Sequence, residues 1–400
     1  MNIAVIGCGD FAKCFVPLFK AHPLVGKVYV CDVIPERAEK YRQDFDVEII
    51  GSFEEALKHE DVDAVAIFVQ RHLHGAFVKA ALQAGKHVYS AVPMASEVSE
   101  CQDIVRLVEK TGLIYMMGET CVYYPCAMFC KKEYDKGTFG KFVYGESQYY
   151  HDLSHFPQNF LDDKPASAVP PFLYPTHSTA MMLYATGAHV VQVTGMGYRD
   201  TEENTPFREG ENPWDNPFSN EYSLMRLSNG GVARINECRR IGYKAPSSRI
   251  ESFAGTKGAY EFSNAQHIVT QLTEKGVSLR DVSDEVNPTA MTEAKSAPDF
   301  KEQVANHTWQ WTDPSPIQEE EIARLPEALK HMTSGHMFSH ALLVDDFCQA
   351  VHTNTLPKVN AWQAARYTMP GLLAHQSAME GGRIIDVPDM GDAPSDWGKK

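Results

Sequence analysis

The sequence predicts a parallel α/β unit over residues 1–120, followed by an α+β unit with a large, mainly antiparallel open sheet over residues 121–400. Three observations carry this reading. Short apolar runs alternate with amphipathic stretches through residue 118. Beyond residue 120 they give way to longer strand-like segments punctuated by turn residues. The chain has 400 residues, room for two domains at roughly 100–200 residues each.

In the first part, Ile3–Ile6, Val28–Cys31, Ala64–Val69, His87–Ser90 and Ile114–Met117 read as buried strands. Between them, Phe11–Ala21, Pro35–Asp44, Phe53–His59, His72–Ala84 and Val98–Thr111 read as helices. Strands apolar on both faces belong in a parallel sheet covered on both sides. Its crossovers are expected to be right-handed. In the second part, Tyr124–Lys136 reads as a helix ending at Gly137, and Phe142–Tyr150 as a long aromatic strand. Val190–Tyr198, Tyr222–Leu227, Val232–Cys238, Arg249–Ala254 and Ala259–Phe262 follow as strands. Ser228-Asn229-Gly230-Gly231 marks a hairpin. Residues 199–219 and 272–333 are polar and read as long loops. His340–His352 and Ala361–Met379 return to helical periodicity, and are candidates to pack back on the first domain.

Composition narrows the function classes. A hydrophobic fraction of 44% with 22% charged residues is that of an ordinary globular protein. The net charge of −15 argues against a nucleic-acid or anionic-membrane partner. No stretch approaches the roughly 18 apolar residues of a membrane span. The opening residues Met1–Asp10 read as a strand entering a glycine turn, not as a signal peptide, so a cytoplasmic location is expected. The nine cysteines lack framework or zinc spacing and read as reduced thiols. No metal is assigned: His72 and His74 stand two apart, and such positions do not face one another on a helix.

The strongest motif is Gly7-Cys8-Gly9-Asp10-Phe11-Ala12, which follows the first strand and opens the first helix. Gly7 permits the tight turn, Gly9 lets the backbone approach a pyrophosphate, and Ala12 keeps the helix close to the sheet. Asp32 ends the next strand, where a carboxylate suits the ribose 2′-hydroxyl of NAD and repels the phosphate of NADP. Arg37 nearby could soften that preference. These residues predict a Rossmann fold binding NAD. The competing reading is a structural glycine turn with no ligand.

With these elements placed, the chain resembles the Gfo/Idh/MocA oxidoreductases. The glycine turn, Asp32, Asp63-Ala64-Val65-Ala66-Ile67 and Ala84-Gly85-Lys86-His87-Val88 carry the resemblance. It implies a cofactor site of Gly7, Gly9, Asp10, Phe11, Ala12, Asp32, Val69, His72, His74 and Pro93. In that family the strand after Gly-Lys-His-Val ends in Glu-Lys-Pro, and its lysine serves the hydroxyl proton. Here the residues are Ala91-Val92-Pro93, and a valine cannot relay a proton.

A branch of the family without that lysine, the NAD-dependent glycosidases of glycoside hydrolase family 109, is similar at three stretches. These are Gly118-Glu119-Thr120-Cys121-Val122-Tyr123, Tyr149-Tyr150-His151-Asp152-Leu153 and Tyr174-Pro175-Thr176-His177. The resemblance implies His177, Tyr149 and Tyr174 as catalytic residues, with Glu119 and His151 second. Each has a plainer alternative: Tyr149 packed on a sheet face, His177 bonded to backbone at a helix start, Glu119 paired with an arginine. Tyr123, Arg239, Arg240 and Lys244 are candidate substrate contacts, and the basic strand end could dock an anionic group. The branch oxidises a sugar hydroxyl, usually at C3, then eliminates and re-adds at C1–C2, so a glycoside is hydrolysed with NAD restored. The alternatives are a plain sugar or cyclitol dehydrogenase and a non-catalytic dinucleotide-binding protein. Family resemblance also implies a homo-oligomer.

Overall fold

The computed structural model describes residues 1–153, 158–203, 205–241, 247–262, 266–286, 314–332 and 334–398. They form two compact units. One comprises residues 1–120, 320–366 and 390–400; the other comprises residues 121–319 and 367–389.

The first unit holds a six-stranded sheet of β1 (Ile3–Ile6), β2 (Val28–Cys31), β3 (Glu48–Ile49), β4 (Ala64–Ile67), β5 (His87–Ser90) and β6 (Tyr115–Met117). The order is β3-β2-β1-β4-β5-β6, parallel throughout. Every residue of β1 and β4 is buried, as two-sided cover requires. Strand order reverses between β1 and β4, and at such a switch point the carboxyl ends of the strands leave a crevice for a ligand. The two-residue β3 escapes a pattern search because both residues are exposed at the sheet edge. The helix expected over Phe11–Ala21 divides into a 3-10 turn, Ala12–Cys14, and a helix, Val16–Ala21, with Pro17 in its first turn. Proline is tolerated there because it has no N–H to contribute.

Residues 320–366 belong to this unit, and one buried side-chain contact ties them to its first helix region. His22 Nε2 lies 3.1 Å from Asp345 Oδ1 on the helix Ser339–Thr353. Arg324 binds Asp345 at 2.5 Å and Asp346 at 2.7 Å.

The second unit holds a nine-stranded sheet of β7 (Phe142–Tyr150), β8 (Val190–Arg199), β9 (Phe218–Leu227), β10 (Val232–Cys238), β11 (Ser248–Gly255), β12 (Gly258–Phe262), β13 (His267–Thr273), β14 (Gly276–Asp281) and β15 (Ile385–Asp386). The order is β14-β13-β12-β11-β7-β10-β9-β8-β15. All neighbours are antiparallel except β7 and β10. The open, mainly antiparallel sheet is as expected. The β13–β14 hairpin corrects the loop expected from residue 272: all six residues of β14 are exposed, so no apolar alternation announces it.

One face of this sheet is covered by the helix Thr176–Thr186, where Ser147 Oγ donates to Ser178 O at 2.7 Å. Residues 367–379 cover the same sheet at β8, where Gly195 N donates to Ser377 Oγ at 2.9 Å. The other face leaves Met196 and Leu224 70% and 49% exposed. Among the described residues no helix is long and apolar enough to cross a membrane.

Candidate active site

The glycine turn of the first unit is built by backbone geometry. Gly7 has φ +99°, and a Cβ there would sit 2.6 Å from Phe68 O, so only glycine fits. Asp32 ties β2 back to the turn: its carboxylate accepts from Cys8 N at 2.7 Å and from Ile34 N at 2.8 Å. A Cβ on Gly9 would meet no protein atom within 4 Å, which leaves a cradle for a phosphate. Tyr41, 32 residues away in the chain, donates its hydroxyl to Gly9 O at 2.5 Å and so fixes the backbone of the turn. Ala12 is buried, while the Asp10 side chain is exposed and paired with Lys13. Phe11 packs edge-on against Phe15 and Phe68. These residues fit a dinucleotide: approachable backbone with a carboxylate at the strand end.

The histidines differ. His72 lies half-buried in the 3-10 turn Arg71–Leu73. His74 is fully buried, with Nδ1 2.7 Å from Pro93 O and Nε2 3.1 Å from Val69 O. This corrects the expectation of a His74–cofactor contact. The ring lies buried between the carbonyls of Pro93 and Val69, and in its neutral form its single N–H donates to one of them. Burial pushes its pKa down. The Val92–Pro93 peptide is cis, and Val92 is buried and apolar. Glu119 follows β6, is fully buried, and donates its N–H to Met117 O.

In the second unit, three elements bring an aromatic cluster together. Tyr149 is the penultimate residue of β7, and His151 stands two residues on, where alternation puts it on the same face. Their rings lie 5.3 Å apart. Tyr174 and His177 flank the start of the helix Thr176–Thr186, and His177 Nε2 is 3.1 Å from the Tyr174 hydroxyl. The His177 ring meets Tyr149 at 4.9 Å and Tyr174 at 5.1 Å, both edge-on. Arg239, just past β10, places its guanidinium within cation–π reach of both tyrosines.

Two buried carboxylates underlie the cluster. Glu237 pairs in register with Tyr149 on one side and Glu221 on the other, so all three share a sheet face. Glu237 accepts from the Ser178 hydroxyl and, at 3.1 Å, from Arg239. Burial pushes its carboxyl up to about 7, against the opposing pull of Arg239 and Ser178. Glu221 accepts from Phe172 N at 2.7 Å and lies 2.7 Å from His375 Nδ1. Burial works against a charged His375, but the Glu221 carboxylate outweighs it and holds the imidazole above its ordinary range. Phe172 and Ser178 bracket Tyr174 and His177, so the two carboxylates anchor the segment bearing both groups.

Of the residues anticipated from sequence, Tyr149, His151, Tyr174, His177 and Arg239 come together. Arg240 does not join them: its Nε binds Asp200 at 3.1 Å, because neighbouring residues past a strand diverge to different partners. Tyr123 is fully buried, and its carbonyl accepts from Gln318. Lys244 lies outside the described residues. Sequence reading missed Glu221, Glu237, Ser178 and His375 as parts of the site. The Glu237-x-Arg239 spacing was a usable signal, since i and i+2 on a strand share a face. Nothing local marks His375.

Comparison with known proteins bears on the fold and on the first unit. Residues 1–119 match the model of the Gfo/Idh/MocA oxidoreductase family, NAD-binding Rossmann fold. A glycosyl hydrolase family 109 protein of Streptomyces filamentosus is 25% identical over 423 aligned positions, covering 98% of this chain and 77% of that protein. The fold is shared with levoglucosan dehydrogenase solved with NADH and levoglucosan, at TM-score 0.73 and 18% identity, covering 97% of this chain and 100% of that one. It is shared too with scyllo-inositol dehydrogenase of Lactobacillus casei solved with NAD(H) and scyllo-inositol, at TM-score 0.68 and 16% identity, covering 96% and 98%. Residues 1–119 are thus an NAD-binding Rossmann domain of the Gfo/Idh/MocA oxidoreductase family, in a chain homologous to the glycosyl hydrolase family 109 proteins.

Proposed function

We propose that this protein oxidises a ring hydroxyl of a small sugar, cyclitol or glycoside, with His177 accepting the hydroxyl proton. The observation that carries this is the His177–Tyr174 hydrogen bond within a cluster of tyrosine, histidine and arginine. Valine stands at position 92, so the proton acceptor must come from elsewhere in the chain. A neutral imidazole accepts a proton readily near neutral pH. Gly7, Gly9 and Asp32 would hold NAD, which supplies the hydride acceptor when bound. The products are a ketone, NADH and a protonated base.

A further step is favoured by similarity along nearly the whole chain to family 109 proteins. A C3 ketone acidifies the C2 hydrogen, and a second base then permits loss of the C1 substituent. Tyr149, Tyr174 and His151 offer that second group; addition of water and reversal of the oxidation would complete a hydrolysis. Carboxylates flanking C1 are not needed for this route. The plain dehydrogenase reading draws support from the sugar and cyclitol dehydrogenases that share the fold.

The test is turnover with NAD on sugars, cyclitols and nitrophenyl glycosides in deuterated water. NADH accumulation with an intact substrate skeleton identifies a dehydrogenase. Aglycone release with deuterium at C2 and no net NADH identifies the elimination route. No oxidation of any member of the panel defeats both.

A further inference from the structure

Arg239 lies against both tyrosines of the cluster. Its guanidinium carbon is 5.0 Å from the Tyr149 ring centroid and 5.8 Å from that of Tyr174. Both lie inside the roughly 6 Å reach of a cation–π contact. The guanidinium is anchored by Glu237 Oε2 at 3.1 Å, Cys238 O at 3.3 Å and Pro171 O at 3.4 Å. Only 7% of the side chain is exposed, so little water screens its charge. A cation so anchored is poorly placed to dock an incoming anion, the use that a basic strand end first suggests. It is well placed to act on the rings beside it.

We propose that Arg239 is a positioning residue for the tyrosine–histidine cluster: its guanidinium fixes Tyr149 and Tyr174 around His177 and favours the ionised form of their phenols. This rests on the reading of that cluster as the proton-transfer site. The groups that face the two rings include His151 beyond β7, His177 on the helix Thr176–Thr186 and Arg239 beyond β10. Glu237 stands behind the cation and offsets part of its charge. A nearby positive charge stabilises a phenolate, and arginine keeps that charge at every working pH. A guanidinium held by three acceptors also restrains the rings beside it.

The experiment follows tyrosinate absorbance against pH in the full chain, for wild type, R239Q and E237Q, with Y149F and Y174F identifying which phenols respond. In R239Q the responding phenols should titrate about one pH unit higher or more. In E237Q, where the cation is unopposed, they should titrate lower. Turnover gives a second reading: kcat of R239Q should fall on the order of tenfold or more, with KM little changed and part of the loss restored in R239K. Should R239Q fail to fold, the downward shift in E237Q still decides the matter. Superimposable tyrosinate curves in the folded variants overturn the proposal, whether or not the enzyme turns over. A clear shift in a protein that oxidises no carbohydrate leaves the role of Arg239 standing and defeats the functional reading instead.

Discussion

The glycine turn and the aromatic cluster reach functional geometry by opposite routes. At the turn, backbone does the work: Gly7 is pressed against Phe68 O, Gly9 is left open, and Asp32 lies 24 residues from the Cys8 N–H it accepts. In the cluster, side chains do the work, and they come from β7, from the helix Thr176–Thr186 and from the end of β10. A backbone site tolerates variation in side chains but not in conformation. A side-chain site depends on register and on the buried groups beneath it.

The largest expected effect separates the two regions directly. H177A should lower NAD-dependent turnover by roughly 10²–10⁴-fold, the usual contribution of a general base, while NAD still binds and melting is little altered. Near-normal turnover in a steady-state assay would remove His177 from the mechanism.

The two glycines sharpen the backbone half of the comparison. G7A faces a clash with Phe68 O and a positive φ, and should lose about 1–3 kcal/mol of stability in denaturant unfolding. G9V meets no protein atom at its first carbon and should melt like wild type, yet bind NAD much more weakly by calorimetry. Equal NAD affinity in G9V would mean that the cradle holds no phosphate.

The buried carboxylate tests the side-chain half. Glu237 keeps its proton in the fold up to about 7, above the ordinary carboxyl range, chiefly because it is buried. Its contribution to stability is therefore full below the unfolded carboxyl pKa and is lost as pH rises through about 7. Unfolding measured between pH 5 and 8, on the order of that window, should show this decline in wild type and a flatter profile in E237Q. Matching slopes would show that burial does not govern this group.

The smallest effect concerns the uncovered sheet face. Met196 and Leu224 are exposed there, and exposed apolar side chains of that kind are suited to contact with a second copy of the chain. Light scattering should give a homo-oligomer, and L224E should shift it toward monomer with turnover retained. A wild-type monomer would refute that expectation.

Much of the molecule is legible in its amino-acid sequence. Five of the six strands of the first unit follow from apolar runs, and the edge strand β3 is lost only because it is exposed. Tyr149, Tyr174 and His177 were singled out by motif and do meet. The assignments that failed are those in which one residue had two plausible partners. His74 could face a ligand or backbone carbonyls, and it faces the carbonyls of Val69 and Pro93. Arg239 and Arg240 are neighbours in sequence, yet one lies on the tyrosines and the other on Asp200.

The sequence by itself determined the parallel α/β unit, the glycine turn with Asp32, and the residue types available for proton transfer. These depend on short-range patterns: periodicity, conformational freedom at single glycines, and spacing within one element. Only the tertiary structure decided that β7 runs parallel to β10, so that Tyr149 lies in register with Glu237. It alone set His375 against Glu221, 154 residues away. Alternation assigns a side chain to a face, but which residue stands opposite depends on register, and register is set by contacts between segments far apart in the chain.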